Sequence, residues 1–295
     1  MSPKPETSTV ATLPCNWLIT GAPSGIGLAL AEHVLAQGHR VTLAARSGAA
    51  MAELAARYPH SAHALVLDVT DSHPRFAVVA EATARMGTID VLVNNAAIDF
   101  LGAVEEQREE DYRAQFEVNF FAAVEMIRLV LPGMRARRAG TIINVSSMDG
   151  IASLPANGFY SASKLALEGL TEALWQEIEP LGLRAFLVEP GSVRTGIERR
   201  TKFSGEPIAD YAATSGAFRE RVSTVTPEMF PGDPARVAKA IFEEALFPSG
   251  RHWVVMGSDA VRRINLKLEA LTRDIRLGAR TAAETDYPGS TQAVL

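Results

Sequence analysis

The sequence predicts a doubly wound α/β fold in a single domain, with a mostly parallel sheet of about seven strands and helices on both faces. Three observations predict it. Short apolar runs alternate with helical stretches from about residue 16 to residue 190. The runs are apolar enough to be buried on both faces, as strands of a parallel sheet are. The pattern does not reset along that span, so no domain boundary interrupts it. Right-handed crossovers then leave few topologies.

The elements follow in order. Asn16–Thr20 (NWLIT) is an apolar strand, and the glycine-rich turn GAPSGIG follows it. Residues 26–37 form a helix with Ile26, Ala29, Leu30, Val34 and Leu35 on one stripe, closed by Gly38. A strand over 41–45 leads to a helix over 49–58, stopped by Pro59. Residues 64–67 are a strand ending at Asp68, and 76–86 a helix. The strand 90–93 runs into Asn94-Asn95. A helix over 109–131, the strand Thr141–Val145, a helix over 160–179 and a strand over 183–188 complete the regular part. Beyond Pro190 the periodicity weakens, and 194–231 reads as a substrate loop. A helix over 235–246, a strand over 252–256 and a helix over 261–275 close the domain. The expected organisation is a flexible arm over 1–13, a catalytic domain over 14–280 and a loose tail over 281–295.

Bulk composition narrows the function. The chain has 295 residues, is 47% hydrophobic and carries a net charge of −5 with the signs mixed. That leaves no basic field for nucleic acid. The single cysteine, Cys15, excludes an internal disulfide and fits a reducing compartment. No Cys/His set has metal-ligand spacing, and His60 and His63 read as a surface pair. No apolar stretch approaches the ~20 residues that span a bilayer, and the first residues have no signal-peptide core. The expectation is a soluble, cytoplasmic protein without metal, nucleic acid or membrane span.

The chemistry lies in six motifs. Thr20-Gly21-x-x-x-Gly25-Ile26-Gly27 joins a strand to a helix, so Gly21, Ser24, Gly25, Ile26 and Gly27 can cradle a phosphate at the helix N-terminus. No Lys-Ser/Thr pair follows, which excludes a P-loop. The next strand ends in the window VTLAARSGAA (41–50), which holds no acid for a ribose. It offers Arg46 to a 2′-phosphate, favouring NADP(H) over NAD(H). Asp68 and Val69 end the third strand, and Asn94-Asn95 the fourth. Tyr160 and Lys164 share one helix face, with Ser147 thirteen residues before Tyr160. Pro190-Gly191-Ser192-Val193-x-Thr195 redirects the chain over the same sheet edge.

Together these motifs resemble the short-chain dehydrogenase/reductase family in its single-domain form, over about residues 14–257. The resemblance implies a Rossmann-type sheet and an NADP(H)-dependent oxidoreductase acting on a carbonyl or secondary alcohol. It implies Tyr160 as acid/base, Ser147 as holder of the substrate oxygen, and Lys164 as ribose ligand that lowers the tyrosine pKa. Asn119 in FEVNFFAAV matches the asparagine of the proton-relay water. Gly21, Ile26, Asp68, Asn95, Val193 and Thr195 would line the cofactor, with Ser24, Gly25, Gly27, Arg46, Val69, Pro190 and Gly191 completing the set. Ala97 and Pro23 depart from the family pattern. The stretch HWVVMGSDAV and the later TDYPG loosely resemble the 17β-hydroxysteroid dehydrogenase-like subgroup.

The expected pocket comprises Ile98, Asp99, Met148, Leu154, Phe159, Met229 and Phe230, mostly apolar and suited to a hydrophobic or cyclic substrate. A small-residue strip of Ala162, Ala166, Gly169 and Ala173 packs either on the sheet or on a second subunit, the latter giving a homodimer or homotetramer. Two other functions fit the same residues: a non-catalytic NADP-sensing or scaffold protein, and an epimerase or dehydratase using the same tyrosine.

Overall fold

In a computed structural model, residues 14–46, 48–196 and 200–290 are described. The expected arm over 1–13 lies outside them, as do residues 197–199 of the expected substrate loop. Seven strands form one sheet in the order β3-β2-β1-β4-β6-β7-β9. They are β1 (Asn16–Thr20), β2 (Arg40–Ala45), β3 (Ala62–Val66), β4 (Val91–Asn94), β6 (Thr141–Val145), β7 (Arg184–Pro190) and β9 (Trp253–Met256). Every pairing is parallel. The chain order reverses between β1 and β4, which is where such sheets bind ligands. Two short strands, β5 (Phe100–Leu101) and β8 (Lys202–Phe203), pair separately above that edge.

One sheet face is covered by α1 (Gly25–Ala36), α2 (Ala49–Arg57) and α9 (Pro234–Leu246), through Leu30, Val34, Leu54, Ile241 and Phe242. The other is covered by α3 (Ser72–Met86), α5 (Ala122–Arg137) and α7 (Gly158–Ile178), through Val78, Met126, Val130, Leu174 and Trp175. Between α3 and α5 lies α4 (Glu109–Phe116), joined to α5 by a π-turn over Glu117–Phe121.

Three helices differ from the sequence expectation by several residues. The helix expected to stop before Pro132 runs on to Arg137. Pro132 is exposed, so the carbonyl it leaves unbonded faces water, while Met134 extends the buried stripe of Met126 and Val130. α3 starts at Ser72 because Asp71 caps it, accepting a hydrogen bond from the His73 N–H at 3.0 Å. The last helix, α10 (Ser258–Glu284), begins before residue 261 and passes both 275 and the expected start of the tail at 281. Within 201–231 the structure adds α8 (Ala217–Ser223) and short 3-10 and π-turns. This segment is pinned rather than loose. Ser204 is fully buried and bonds Asp111, and Glu106 accepts from the Ile208 N–H and pairs with Arg219.

The small-residue strip is not core. Ala162, Gly169 and Ala173 are exposed, and a side chain at Gly169 would meet nothing. Packing against the sheet is therefore ruled out for them.

A buried carboxyl pair underlies the sheet edge. Glu189 sits in β7 with 0% exposure, its carboxyl beside the Ser147 backbone N–H. The carboxyl of Glu168 on α7 faces it and accepts from Ser146 Oγ at 2.7 Å. Burial pushes both carboxyls above the usual carboxylate range; Glu168 raises Glu189 further, while the hydrogen bond between the two favours the ionised form of Glu168. The pair therefore keeps a proton at neutral pH. A carboxyl raised in the native state gives stability that is full below its unfolded pKa and declines as pH rises through the native value. Wild type should lose a few degrees of melting temperature between about pH 6 and pH 9, and Glu189→Gln should lose less. Parallel melting curves for the two proteins across that range would remove Glu189 as the titrating group.

Candidate active site

The phosphate turn leaves β1 at Thr20. Gly21 and Gly25 have φ of +64° and +58°, and a Cβ at Gly21 would lie 2.7 Å from the Ala96 Cα. Only glycine fits there. Ser24 is the N-cap of α1 but makes no side-chain cap bond, so the first-turn N–H groups of Gly25, Ile26 and Gly27 remain available to an anion. Asn95 braces the turn from β4. Its Nδ2 donates to the Thr20 and Gly21 carbonyls, both at 3.0 Å, and its N–H donates to Thr20 Oγ1. Pro23 packs beside Gly48. These features fit a dinucleotide pyrophosphate. Arg200, unnoticed in the sequence, donates to Ser24 Oγ and to the Thr195 carbonyl. It adds a cation at the mouth of the turn.

The adenosine end is open. Arg46 is exposed at the end of β2, and among the described residues it makes no ion pair. Asp68 Oδ1 accepts from the N–H and hydroxyl of Thr70, which hold its pKa below the ordinary value, helped by the Arg46 charge. Val69 is buried, and its carbonyl accepts from Arg75 Nη1 at 2.6 Å.

Tyr160 and Lys164 lie in the first turns of α7, beside the carboxyl end of β6. Lys164 is 2% exposed and its Nζ donates to the Val145 carbonyl at 2.9 Å. Its Nζ stands 5.7 Å from the Tyr160 ring centroid. Burial lowers its pKa to about 8, against the opposing pull of Glu189, Glu168 and Asp99. Ser147 caps α6 (Met148–Ile151), its Oγ accepting from the Asp149 N–H at 3.1 Å. It also hydrogen-bonds the phenol. The phenol behaves unlike the expectation: burial first, then Asp99 and Asp149, push its pKa well above the usual tyrosine value. Lys164 does not outweigh them. The structure therefore holds Tyr160 as a protonated acid.

Asn119 occupies the π-turn. Its Oδ1 accepts from the Ile98 N–H at 2.9 Å, and its Nδ2 donates to the Ile98 carbonyl and to Ser163 Oγ. Ser163 in turn bonds the Tyr160 carbonyl. The amide side chain is thus fully engaged in tying α4, α7 and the loop after β4 together. A π-turn displaces the usual i−4 bonding, so any relay through this residue falls to its backbone.

The substrate side is more acidic than expected. Burial and Asp149 push Asp99 up to about 7. Asp149 is paired with Arg263 of α10 and accepts from Asn157 Nδ2 at 3.0 Å. Phe159 stacks on Tyr112 with centroids 4.4 Å apart, and Met229 is largely exposed. Pro190 and Gly191 end β7, where the Gly191 N–H bonds the Met256 carbonyl and Asp259 accepts from the Ser192 N–H. Val193 bridges to Gly232, and Thr195 meets Gly25, so the first and sixth motifs close on each other. Asp259 and Arg263 escaped sequence reasoning because their partners are over sixty residues away. Glu189 carried a signal, a lone acid in an apolar strand.

The model of the short chain dehydrogenase family matches residues 16–204. A 3-ketodihydrosphingosine reductase of Bacteroides thetaiotaomicron is 41% identical over 179 residues, covering 61% of this chain and 64% of that protein, less than two thirds of its length. An NADPH-dependent 3-dehydrocapnine reductase of Ornithobacterium rhinotracheale is 35% identical over 65% of this chain and 70% of that protein. The crystal structure of a short-chain dehydrogenase from Streptomyces avermitilis gives a TM-score of 0.86 at 37% identity, covering 92% of this chain and 98% of the other. With the matching fold, phosphate turn and Ser-Tyr-Lys set, these likenesses place the chain in the short-chain dehydrogenase/reductase family of oxidoreductases.

Proposed function

We propose that the enzyme is an NADPH-dependent carbonyl reductase. One observation carries this reading: a buried, protonated Tyr160 beside Ser147 and Lys164. The dinucleotide, when bound, supplies the hydride. Ser147 holds the carbonyl oxygen, Tyr160 gives it a proton, and Lys164 holds the cofactor ribose while its charge favours the phenolate left behind. Reduction needs the phenol neutral, which burial and Asp99 and Asp149 favour. Oxidation needs it ionised, against the same forces. The keto compounds in the names of the two reductases support a ketone substrate.

The candidate residues take the roles the family gives them: Asn119 for a relay water through its backbone, Asp68 and Val69 at the adenine, Pro190, Gly191, Val193 and Thr195 over the nicotinamide side. Preference for NADP(H) rests on Arg46 and on the missing acid in 41–50. Among the described residues no helix is long and apolar enough to cross a membrane. We place the enzyme in the cytoplasm and propose a homodimer or homotetramer, because exposed Leu165 lies on α7 beside the outward small-residue strip.

Four outcomes are expected. Tyr160→Phe should remove turnover of a ketone panel while leaving NADPH fluorescence titration intact, and the wild-type reduction rate should fall above about pH 8 as Lys164 loses its proton. Substantial activity in Tyr160→Phe sinks the acid assignment. Arg46→Ala should weaken NADPH binding roughly 10-fold or more and leave NADH binding nearly unchanged, on the scale of one charge-assisted contact. Equal losses would remove the 2′-phosphate role. Sedimentation equilibrium should give two or four chains per particle, and a monomer at micromolar concentration would overturn the assembly.

A further inference from the structure

The last helix carries an apolar face that the rest of the chain leaves bare. Its root is fastened firmly. Ala260 and Ile264 are buried, and Asp259 accepts from the Ser192 N–H at 2.8 Å. Arg263 pairs with Asp149 and donates from Nε to the Ala152 carbonyl at 3.0 Å. Beyond that root α10 leaves the body at a fixed angle. Every residue from Asn265 to Glu284 is exposed except Ala270, which is half-buried. At ~1.5 Å per residue this is an arm of roughly 30 Å. Helical stability in water comes mainly from packing an apolar face. Among the described residues, nothing of its own chain covers this one.

The face itself is well defined. Val261, Ile264, Leu268, Leu271 and Ile275 recur at alternating spacings of three and four, the pattern of a helix-pair seam. Ile264 faces the body, whereas Leu268 and Leu271 are 47% and 46% exposed and Ile275 63%. Helical periodicity puts Lys267 and Asp274 along one border of this stripe, opposite in sign and one heptad apart. Asn265 and Thr272, both neutral, line the other border. Arg262, Arg273 and Arg280 stand further round the helix.

Those borders select the partner. An interfacial helix on anionic lipid sets cations beside its apolar face, and Asp274 at the border opposes that. A second copy of the chain fits. Two arms laid antiparallel, with Leu268 of each level with Leu271 of the other, bring each Lys267 beside Asp274 of the partner subunit. The same register sets Asn265 beside Thr272 of the partner subunit across the opposite border. A parallel pair would place Lys267 by a threonine and Asp274 by an alanine, with no ion pair, and would crowd both bodies at one end. The antiparallel contact is self-complementary, as a two-fold axis requires.

We propose that α10 is a docking arm for a second copy of this chain, pairing antiparallel through Leu268, Leu271 and Ile275 with a Lys267–Asp274 ion pair on each side of the two-fold axis. This contact is separate from the one on α7 and does not depend on the reductase reading.

Sedimentation equilibrium of the full chain tests it. Leu268→Ser/Leu271→Ser/Ile275→Ser changes only exposed positions and should halve the number of chains per particle relative to wild type. Lys267→Asp and Asp274→Lys each set like charges together, and each should raise the dissociation constant of that step roughly 10-fold. The double variant Lys267→Asp/Asp274→Lys should restore the wild-type value. Leu165→Ser, on α7, should leave the α10 step unaltered, which separates the two contacts. An unchanged particle in the serine variant, or a double reversal as weak as the single ones, would overturn the proposal. Should the serine variant fail to fold, the charge series decides alone. Wild type should also stay in solution when spun with phosphatidylcholine–phosphatidylglycerol vesicles. Co-sedimentation that the serine variant loses, with no change in particle size, would overturn the proposal and assign the arm to a lipid surface.

Discussion

A lysine ammonium held almost wholly out of water is the constraint around which this site is arranged. In the role proposed for it, Lys164 keeps its charge beside a ribose hydroxyl and a phenol, yet desolvation of an ammonium costs several kcal/mol. Its one direct bond, to the Val145 carbonyl, exists because β6 ends just below α7. The rest of the compensation is electrostatic and comes from Glu168 and Glu189. Two full negative charges there would repel each other in a low dielectric, and none would leave the lysine alone. A pair that retains a proton gives the intermediate value. Its geometry is fixed on one side by Ser146 and on the other by Gly150, where any Cβ would overlap the Glu168 carboxyl.

Around that centre the loops are braced by amide side chains. Asn94 donates to Asn144 at 2.8 Å, and Asn144 donates to Thr171 of α7. Asn95 holds the phosphate turn, and Asn119 holds the loop after β4. The Asn119 and Asn144 amides both donate and accept, while those of Asn94 and Asn95 donate, and together they tie down segments that strands and helices leave unpaired. The groups that meet the ligands are thereby carried on rigid elements, as precise catalysis requires.

Much of this was legible in the sequence. The six motifs are local, with short spacings set by a turn or a helix face, and the sheet read directly from its apolar runs. Reading failed where long-range contacts decide. Pro132 should end a helix by local rules, but it faces solvent while its neighbours stay buried. The strip from Ala162 to Ala173 was ambiguous because helical spacing fixes a common face without saying what that face meets. The tyrosine's electrostatics were misjudged for the same reason. Lys164 was visible four residues away, whereas Asp99 and Asp149 approach the phenol only through the folded loops.

That misjudgement bears on the direction of the chemistry. The cofactor side of the cleft presents cations, Arg46 and Arg200, on a turn of open N–H groups. The substrate side presents carboxyls. Carboxylates beside a phenol raise its proton affinity, which hinders a base and suits an acid. A site evolved chiefly for alcohol oxidation would gain from replacing those aspartates with neutral residues. Asp99 and Asp149 therefore suit a cleft that donates a proton rather than one that accepts it.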